Sequence, residues 1–179
     1  MLTRRHLLFS AAIAVLPRSA FAARRYAYNG PEVVRLASPE RAGTVIVNTG
    51  QRYLYQVLGD DAAMRYGVAV GKQGFDWAGI AHVGRKVEWP TWTPPKDMIA
   101  RRPELAEWAD GMPGGPENPL GARAIYLFDG GRDTMFRIHG TNEPQSIGTA
   151  ASSGCIRMLN EDVEELYDNV DIGTKVIVL

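Results

Sequence analysis

From residue 44 onward, apolar and polar positions alternate with a period of two over most of the chain, the rhythm of strands with one buried face. Thr44-Val45-Ile46-Val47 is β-branched, Asn48-Thr49-Gly50-Gln51 supplies turn residues, and Arg52-Tyr53-Leu54-Tyr55-Gln56-Val57 alternates aromatic with polar side chains. Gly59-Asp60-Asp61 turns the chain into a third segment, 64–70, so this region reads as a three-stranded meander. Residues 80–89 form a weaker strand signal after the glycine-rich turn 71–79. Residues 124–128 and 135–138, joined by Asp129-Gly130-Gly131-Arg132-Asp133, read as a hairpin, and 174–179 as a final strand.

The rhythm breaks in two places. Between residues 90 and 121 stand Pro90, Pro94, Pro95, Pro103, Pro113, Pro116 and Pro119, which exclude a regular sheet there. A short helix fits residues 96–102, with Pro103 stopping it or opening a second turn. A connection of this length commonly serves as a lid or as one wall of a cleft. The second break follows Asn160, which reads as an N-cap, with Glu161 and Asp162 well placed against the helix dipole. Val163, Leu166 and Tyr167 then share one apolar face, so residues 161–169 are expected to be helical. Residues 23–43 show little periodicity and are expected to form an extended lead-in. The expected architecture is a single mainly β domain over residues 44–179, with one or two short helices.

The first 22 residues have another character. Arg4 and Arg5 precede an apolar run at 7–16, and Ala20-Phe21-Ala22 has the small-x-small form of a signal-peptidase site. The run is shorter than the roughly 20 apolar residues a bilayer requires, so residues 1–22 read as a cleavable secretion signal. Thr3-Arg4-Arg5-His6-Leu7-Leu8 resembles a twin-arginine signal. Cleavage there removes Arg4, Arg5 and Arg18 and no acid, so 20 basic against 20 acidic side chains becomes 17 against 20, a net charge of −3. That balance offers nothing to nucleic acid. The expectation is an exported protein of the periplasm or cell wall, with no membrane span after signal cleavage.

Export sharpens the meaning of Cys155, the one cysteine in the chain. A single thiol cannot form an internal disulfide, which leaves an inert buried residue, an intermolecular bridge or a nucleophile. A free thiol is weakly ionised at neutral pH, because its reference pKa is about 8.5, so a nucleophile needs a partner that takes its proton. Beyond the signal the chain has two histidines. His82 lies inside a strand-like segment and reads as an ordinary sheet histidine. His139 ends a strand, precedes Gly140 and heads the segment returning to Cys155, so it is the candidate base. Ser152-Ser153-Gly154 is small enough to bend and to present peptide N–H groups to an oxyanion. Arg157, two residues past Cys155, projects to the same side in an extended stretch, where a guanidinium could hold a carboxylate. Its competing role is a surface ion pair with Glu161 or Asp162. Two histidines and one cysteine without close spacing suggest no metal site, and the glycine runs at 111–115 and 129–131 lack the lysine and helix of a phosphate loop.

These residues resemble a known family, the L,D-transpeptidase catalytic domain of YkuD type. The resemblance rests on His139-Gly140-Thr141-Asn142-Glu143-Pro144-Gln145-Ser146-Ile147-Gly148, then Ser152-Ser153-Gly154-Cys155-Ile156-Arg157-Met158 and Asn160-Glu161-Asp162-Val163. Weaker matches lie at Gln51-Arg52-Tyr53-Leu54-Tyr55, 68–71, Trp92-Thr93-Pro94-Pro95 and Asn118-Pro119-Leu120-Gly121, so it spans about residue 44 to the end. It implies a β-sandwich-like domain, without a cofactor, that acts on peptidoglycan stem peptides. Cys155 would form a thioester with a tetrapeptide stem, releasing D-alanine, and an amine of a second stem or of an outer-membrane lipoprotein would resolve it. His139 would be the base, oriented by the Gly140 carbonyl; Ser153, Gly154 and Cys155 would supply the oxyanion site, and Arg157 would bind substrate. Two departures stand out: Ser153 replaces a histidine found in many members, and Phe75-Asp76-Trp77-Ala78-Gly79 replaces a Thr-Pro-x-Gly turn. An L,D-carboxypeptidase or crosslink hydrolase at the same site, and a non-catalytic wall-binding module, remain open readings. A redox role is weaker, since no resolving cysteine exists.

Overall fold

The computed structural model describes residues 28–72, 77–152 and 154–179; the expected signal, residues 73–76 and Ser153 lie outside the described residues. The strands are β1 (Glu32–Arg35), β2 (Val45–Asn48), β3 (Tyr53–Gly59), β4 (Ala62–Gly67), β5 (Val70–Gly71), β6 (Gly79–Glu88), β7 (Arg123–Asp129), β8 (Arg132–His139), β9 (Ala150–Ser152), β10 (Ile156–Arg157) and β11 (Lys175–Val178). Two α-helices, α1 (Lys96–Arg101) and α2 (Asn160–Asn169), and two 3-10 turns, Pro103–Trp108 and Pro144–Ser146, complete the described chain. The architecture is mainly β with few short helices, as the alternation implied.

Nine strands form one mixed sheet in the order β1-β4-β3-β2-β11-β6-β7-β8-β10, and β5 pairs with β9 in a second, two-stranded sheet. The expected meander is β2-β3-β4, antiparallel throughout. Its third strand stops at Gly67 instead of reaching Val70, which belongs to β5. Within the described part of the expected lead-in, Glu32–Arg35 join the sheet edge as β1 against β4. The final strand is central: β11 lies parallel to β2 and antiparallel to β6, with Val176 and Val178 buried. The far edge turns back on the near half, because Arg157 of β10 bridges to Ala69 just past β4. One core therefore joins Leu54, Tyr66 and Val68 of the first half to Ile125, Leu127 and Ile138 of the second, with Val163 and Leu166 of α2 between them.

Proline removes ladder donors from the 90–121 segment, leaving carbonyls in need of partners. The buried Asn118 collects three of them. Its Nδ2 donates to the carbonyls of Pro90, Met112 and Pro113 at 3.0, 3.2 and 3.0 Å, while Oδ1 accepts from the Leu120 amide at 2.8 Å. The segment is thus built around one amide side chain. The expected helix is α1, and Pro103 opens the 3-10 turn that follows it.

Asp162, in the first turn of α2, is 3% exposed and accepts the Tyr28 hydroxyl at 2.7 Å. Burial raises its pKa from 3.8 to about 6, against the Tyr28 bond, which lowers it, and with Glu161 and Glu165 adding to the rise. A raised native pKa means that protonation favours folding. The stability it contributes is present below about pH 4 and lost as pH rises through about 6. Asp162→Asn is therefore expected to raise the unfolding free energy at pH 7 by on the order of 1 kcal/mol, with the gain vanishing near pH 4. Denaturant melts of both proteins at the two pH values check this; an equal effect at both would remove ionisation as the cause.

Candidate active site

β10 lies parallel to β8, with Arg157 opposite His139 and Ile156 opposite Ile138. Opposed residues on neighbouring strands share a face. Ile138 and Ile156 enter the core, and His139 and Arg157 share the other face. The period of two brings Arg137 and Cys155 to that same face. Imidazole, guanidinium and thiol thus come to one face through register, the eight-residue β8 against the two-residue β10 at the sheet edge.

His139 is 4% exposed, and its Nδ1 is 2.6 Å from the Gly140 carbonyl oxygen. A carbonyl only accepts, so Nδ1 carries the proton and Nε2 is the basic nitrogen. Burial pushes the His139 pKa down to about 4; the Gly140 bond raises it, and Arg157 and Arg137 lower it further. Cys155 is half-buried, and burial pushes its pKa up, opposed by the Arg137 backbone amide and the charges of Arg137 and Arg157. Both groups are consequently uncharged near neutral pH. The thiol points to the main chain of β8, with Sγ 4.0 Å from the Met135 carbonyl. Among the described residues it has no hydrogen bond to His139.

Arg157 does not pair with Glu161 or Asp162. Its Nη1 meets Glu143 Oε2 at 2.7 Å, and its buried Nε has no partner among the described residues. Ahead of the cysteine, Ser152 Oγ donates to the Cys155 carbonyl at 2.5 Å and accepts the Gly154 N–H at 3.2 Å. Gly154 has φ +119°, a conformation an L side chain resists, which suits it to this bend. The Cys155 N–H has no partner among the described residues. Gly140 follows β8 and donates its own N–H to the Arg123 carbonyl at 3.0 Å. Ser153 lies outside the described residues.

Several neighbours had weak signals in the sequence. Arg137 is two residues before His139, so alternation alone could have found it. It forms a forked pair with Asp133 at 2.9 and 3.0 Å and lies over the Tyr126 ring at 4.4 Å. Met135 has φ +65° within an irregular stretch of β8, where the pairing passes from Phe128–Asp133 to Tyr126–Arg137. The side chains of Asp133 and Thr134 take over the amides of Met135 and Phe136 there. Trp77 stacks on Phe136 with ring centroids 5.3 Å apart, and both line a small apolar recess with Gly154 and Ile156. Asn160 departs from its expected role: Leu159 occupies the cap position of α2, and no side chain caps the helix. The Asn160 carboxamide turns away to the main chain at Ala122 and Thr141.

The family model of the L,D-transpeptidase catalytic domain, YkuD, matches residues 42–178. A protein of Escherichia coli K12 described as a probable L,D-transpeptidase, ErfK/SrfK, is 35% identical over 158 residues, covering 83% of this chain and 47% of its own length. The chain spans about half the length of the curated relatives it matches. A crystal structure from Brucella melitensis, described as a probable carnitine operon oxidoreductase, is 50% identical, with a TM-score of 0.58 over 83% of this chain and 92% of that one. An L,D-transpeptidase from Mycobacterium smegmatis shares the fold at 16% identity, with a TM-score of 0.57 over 76% of this chain and 58% of that one.

Proposed function

The chain belongs to the L,D-transpeptidase catalytic-domain family of YkuD type, and from that premise we propose that it is an exported cysteine acyltransferase acting on peptidoglycan stem peptides. The observation that carries the reading is the shared face of β8 and β10. It holds a half-buried thiol, a neutral imidazole with a defined tautomer, and an arginine.

On this reading Cys155 Sγ attacks the carbonyl that follows the L-centre of the third stem residue. Its proton passes to His139 Nε2 as the C–S bond forms, since neither group is charged beforehand. The Cys155 N–H is the donor left open for the oxyanion; the Gly154 N–H reaches it only by leaving Ser152 Oγ. The terminal D-alanine departs with the proton from His139, leaving a thioester. An acceptor amine, from a second stem or a lipoprotein, attacks the thioester carbonyl and gives its proton to His139; the amide forms as the C–S bond breaks, and His139 returns the proton to the sulfur. Arg157 holds a substrate carboxylate by exchanging its Glu143 partner for it. A thiol-based redox cycle would need a second cysteine, and the chain has one. Among the described residues no helix is long and apolar enough to cross a membrane.

Incubating the purified protein with disaccharide tetrapeptides and weighing the products tests the reading. Crosslinked dimers lighter by one D-alanine are expected. Tripeptides alone would reassign the acceptor to water, and unaltered tetrapeptides would overturn the enzyme reading in favour of a wall-binding module.

A further inference from the structure

We propose that Asn160 is a positioning residue for His139, its side-chain oxygen fixing the peptide plane whose carbonyl orients the imidazole. Asn160 Oδ1 accepts from the Thr141 N–H and from the Ala122 N–H, each at 3.1 Å. Both partners are donors, so the oxygen and not the nitrogen of the carboxamide must face them. The Thr141 N–H and the Gly140 carbonyl are the two ends of one peptide unit. No peptide bond in the described chain is cis, so these two groups point in opposite directions from a rigid plane. Holding the N–H toward α2 therefore aims the carbonyl at the ring, where His139 Nδ1 meets it at 2.6 Å.

The surroundings are shaped for this contact. A Cβ at Gly121 or at Gly140 would overlap Asn160 Oδ1, so two glycines make room for one oxygen. Gly121 also has φ +64°, which an ordinary side chain resists. The anchor is firm, because Asn160 opens α2 and Val163 and Leu166 bury that helix in the core. The His139 main chain is held separately by its carbonyl, which accepts the Met158 amide at 2.8 Å. Without Asn160, the 140–141 plane loses its restraint and water competes for the Gly140 carbonyl. The ring is then free to take the other tautomer, with its basic nitrogen turned from the thiol face.

The catalytic consequence rests on the proposed function; the orientation itself does not, and the test separates them. Asn160→Ala and Asn160→Asp are compared with the unaltered protein in two assays: Cys155 acylation by a penem-type β-lactam, followed by mass, and the His139 ring resonances in nitrogen-correlated NMR. For Asn160→Ala the saturating acylation rate is expected to fall roughly 10- to 100-fold with half-saturation little changed. The slowly exchanging Nδ1–H signal of His139 is expected to disappear. Asn160→Asp keeps an acceptor for both amides and is expected to recover the rate to within a few-fold and to retain the signal. A folded Asn160→Ala with both the acylation rate and the Nδ1–H signal intact overturns the proposal, whatever its loss of stability. Should alanine prevent folding, Asn160→Ser, whose hydroxyl is too short to reach both amides, is read by the same two outcomes. An unaltered protein that is never acylated would sink the acyltransferase reading and leave the NMR comparison to decide the role of Asn160.

Discussion

Replacing Cys155 by alanine is expected to abolish both covalent capture of a penem-type β-lactam and formation of crosslinked dimers, without unfolding the protein. The chemistry has no substitute thiol: no other exists in the chain, and among the described residues the neighbouring charged or titratable groups are the Arg137 and Arg157 guanidiniums, their Asp133 and Glu143 partners and a buried imidazole. Loss of the covalent intermediate should lower turnover to the background of uncatalysed transfer. The structural cost is small, because Sγ is half-buried and its polar contacts are weak ones to the β8 main chain, the Met135 carbonyl at 4.0 Å and the Arg137 amide. A change of about 1 kcal/mol or less fits that environment. Intact-mass measurement after exposure to the β-lactam gives one adduct on the native protein and none on the variant. An adduct that persists on Cys155→Ala would place the nucleophile elsewhere.

The second large effect concerns His139. His139→Gln keeps a side chain able to donate to the Gly140 carbonyl but unable to accept a proton, and acylation is expected to slow by roughly 10²- to 10⁴-fold. The pH profile distinguishes loss of a base from loss of packing. With the His139 pKa near 4 and the Cys155 pKa raised, the unaltered protein reacts through a neutral pair. Its rate should stay level across neutral pH and fall as pH drops through about 4. The variant has only the small fraction of preformed thiolate, so its residual rate should climb about tenfold per pH unit below the thiol pKa. A variant whose rate is as flat as that of the native protein would remove His139 as the base. The same depressed pKa has a stability signature. Unfolding lets the ring take up a proton, so native stability is full above about pH 6.5 and declines as pH falls toward about 4. Full loss is on the order of 3 kcal/mol.

Much of this was legible in the residues because it is local. The β-branched run Val45-Ile46-Val47, the β7–β8 hairpin, whose connection is the two residues Gly130-Gly131 and not the five expected, and the apolar face of Val163 and Leu166 follow from short-range sterics and burial. The His139 and Cys155 candidates were equally accessible, one ending a strand, the other the chain's lone thiol. Asn160 shows where local reading fails. Its chemistry suits a helix cap, and a nearer competitor for its oxygen, two amides brought from residues 122 and 141, won. Arg157 shows the same failure, since the acid it meets lies 14 residues back in Glu143 and not in the helix beside it.

By itself, then, the sequence determined the mainly β character, the principal strands in their order along the chain, and the thiol, imidazole and guanidinium that are the candidates for chemistry. These depend on periodicity and side-chain type. Only the tertiary structure decided that β11 enters the middle of the sheet, that β10 lies parallel to β8, and that the thiol and imidazole are both neutral. Those properties depend on which distant segments exclude water from one another, and burial of that kind has no signature within a single strand.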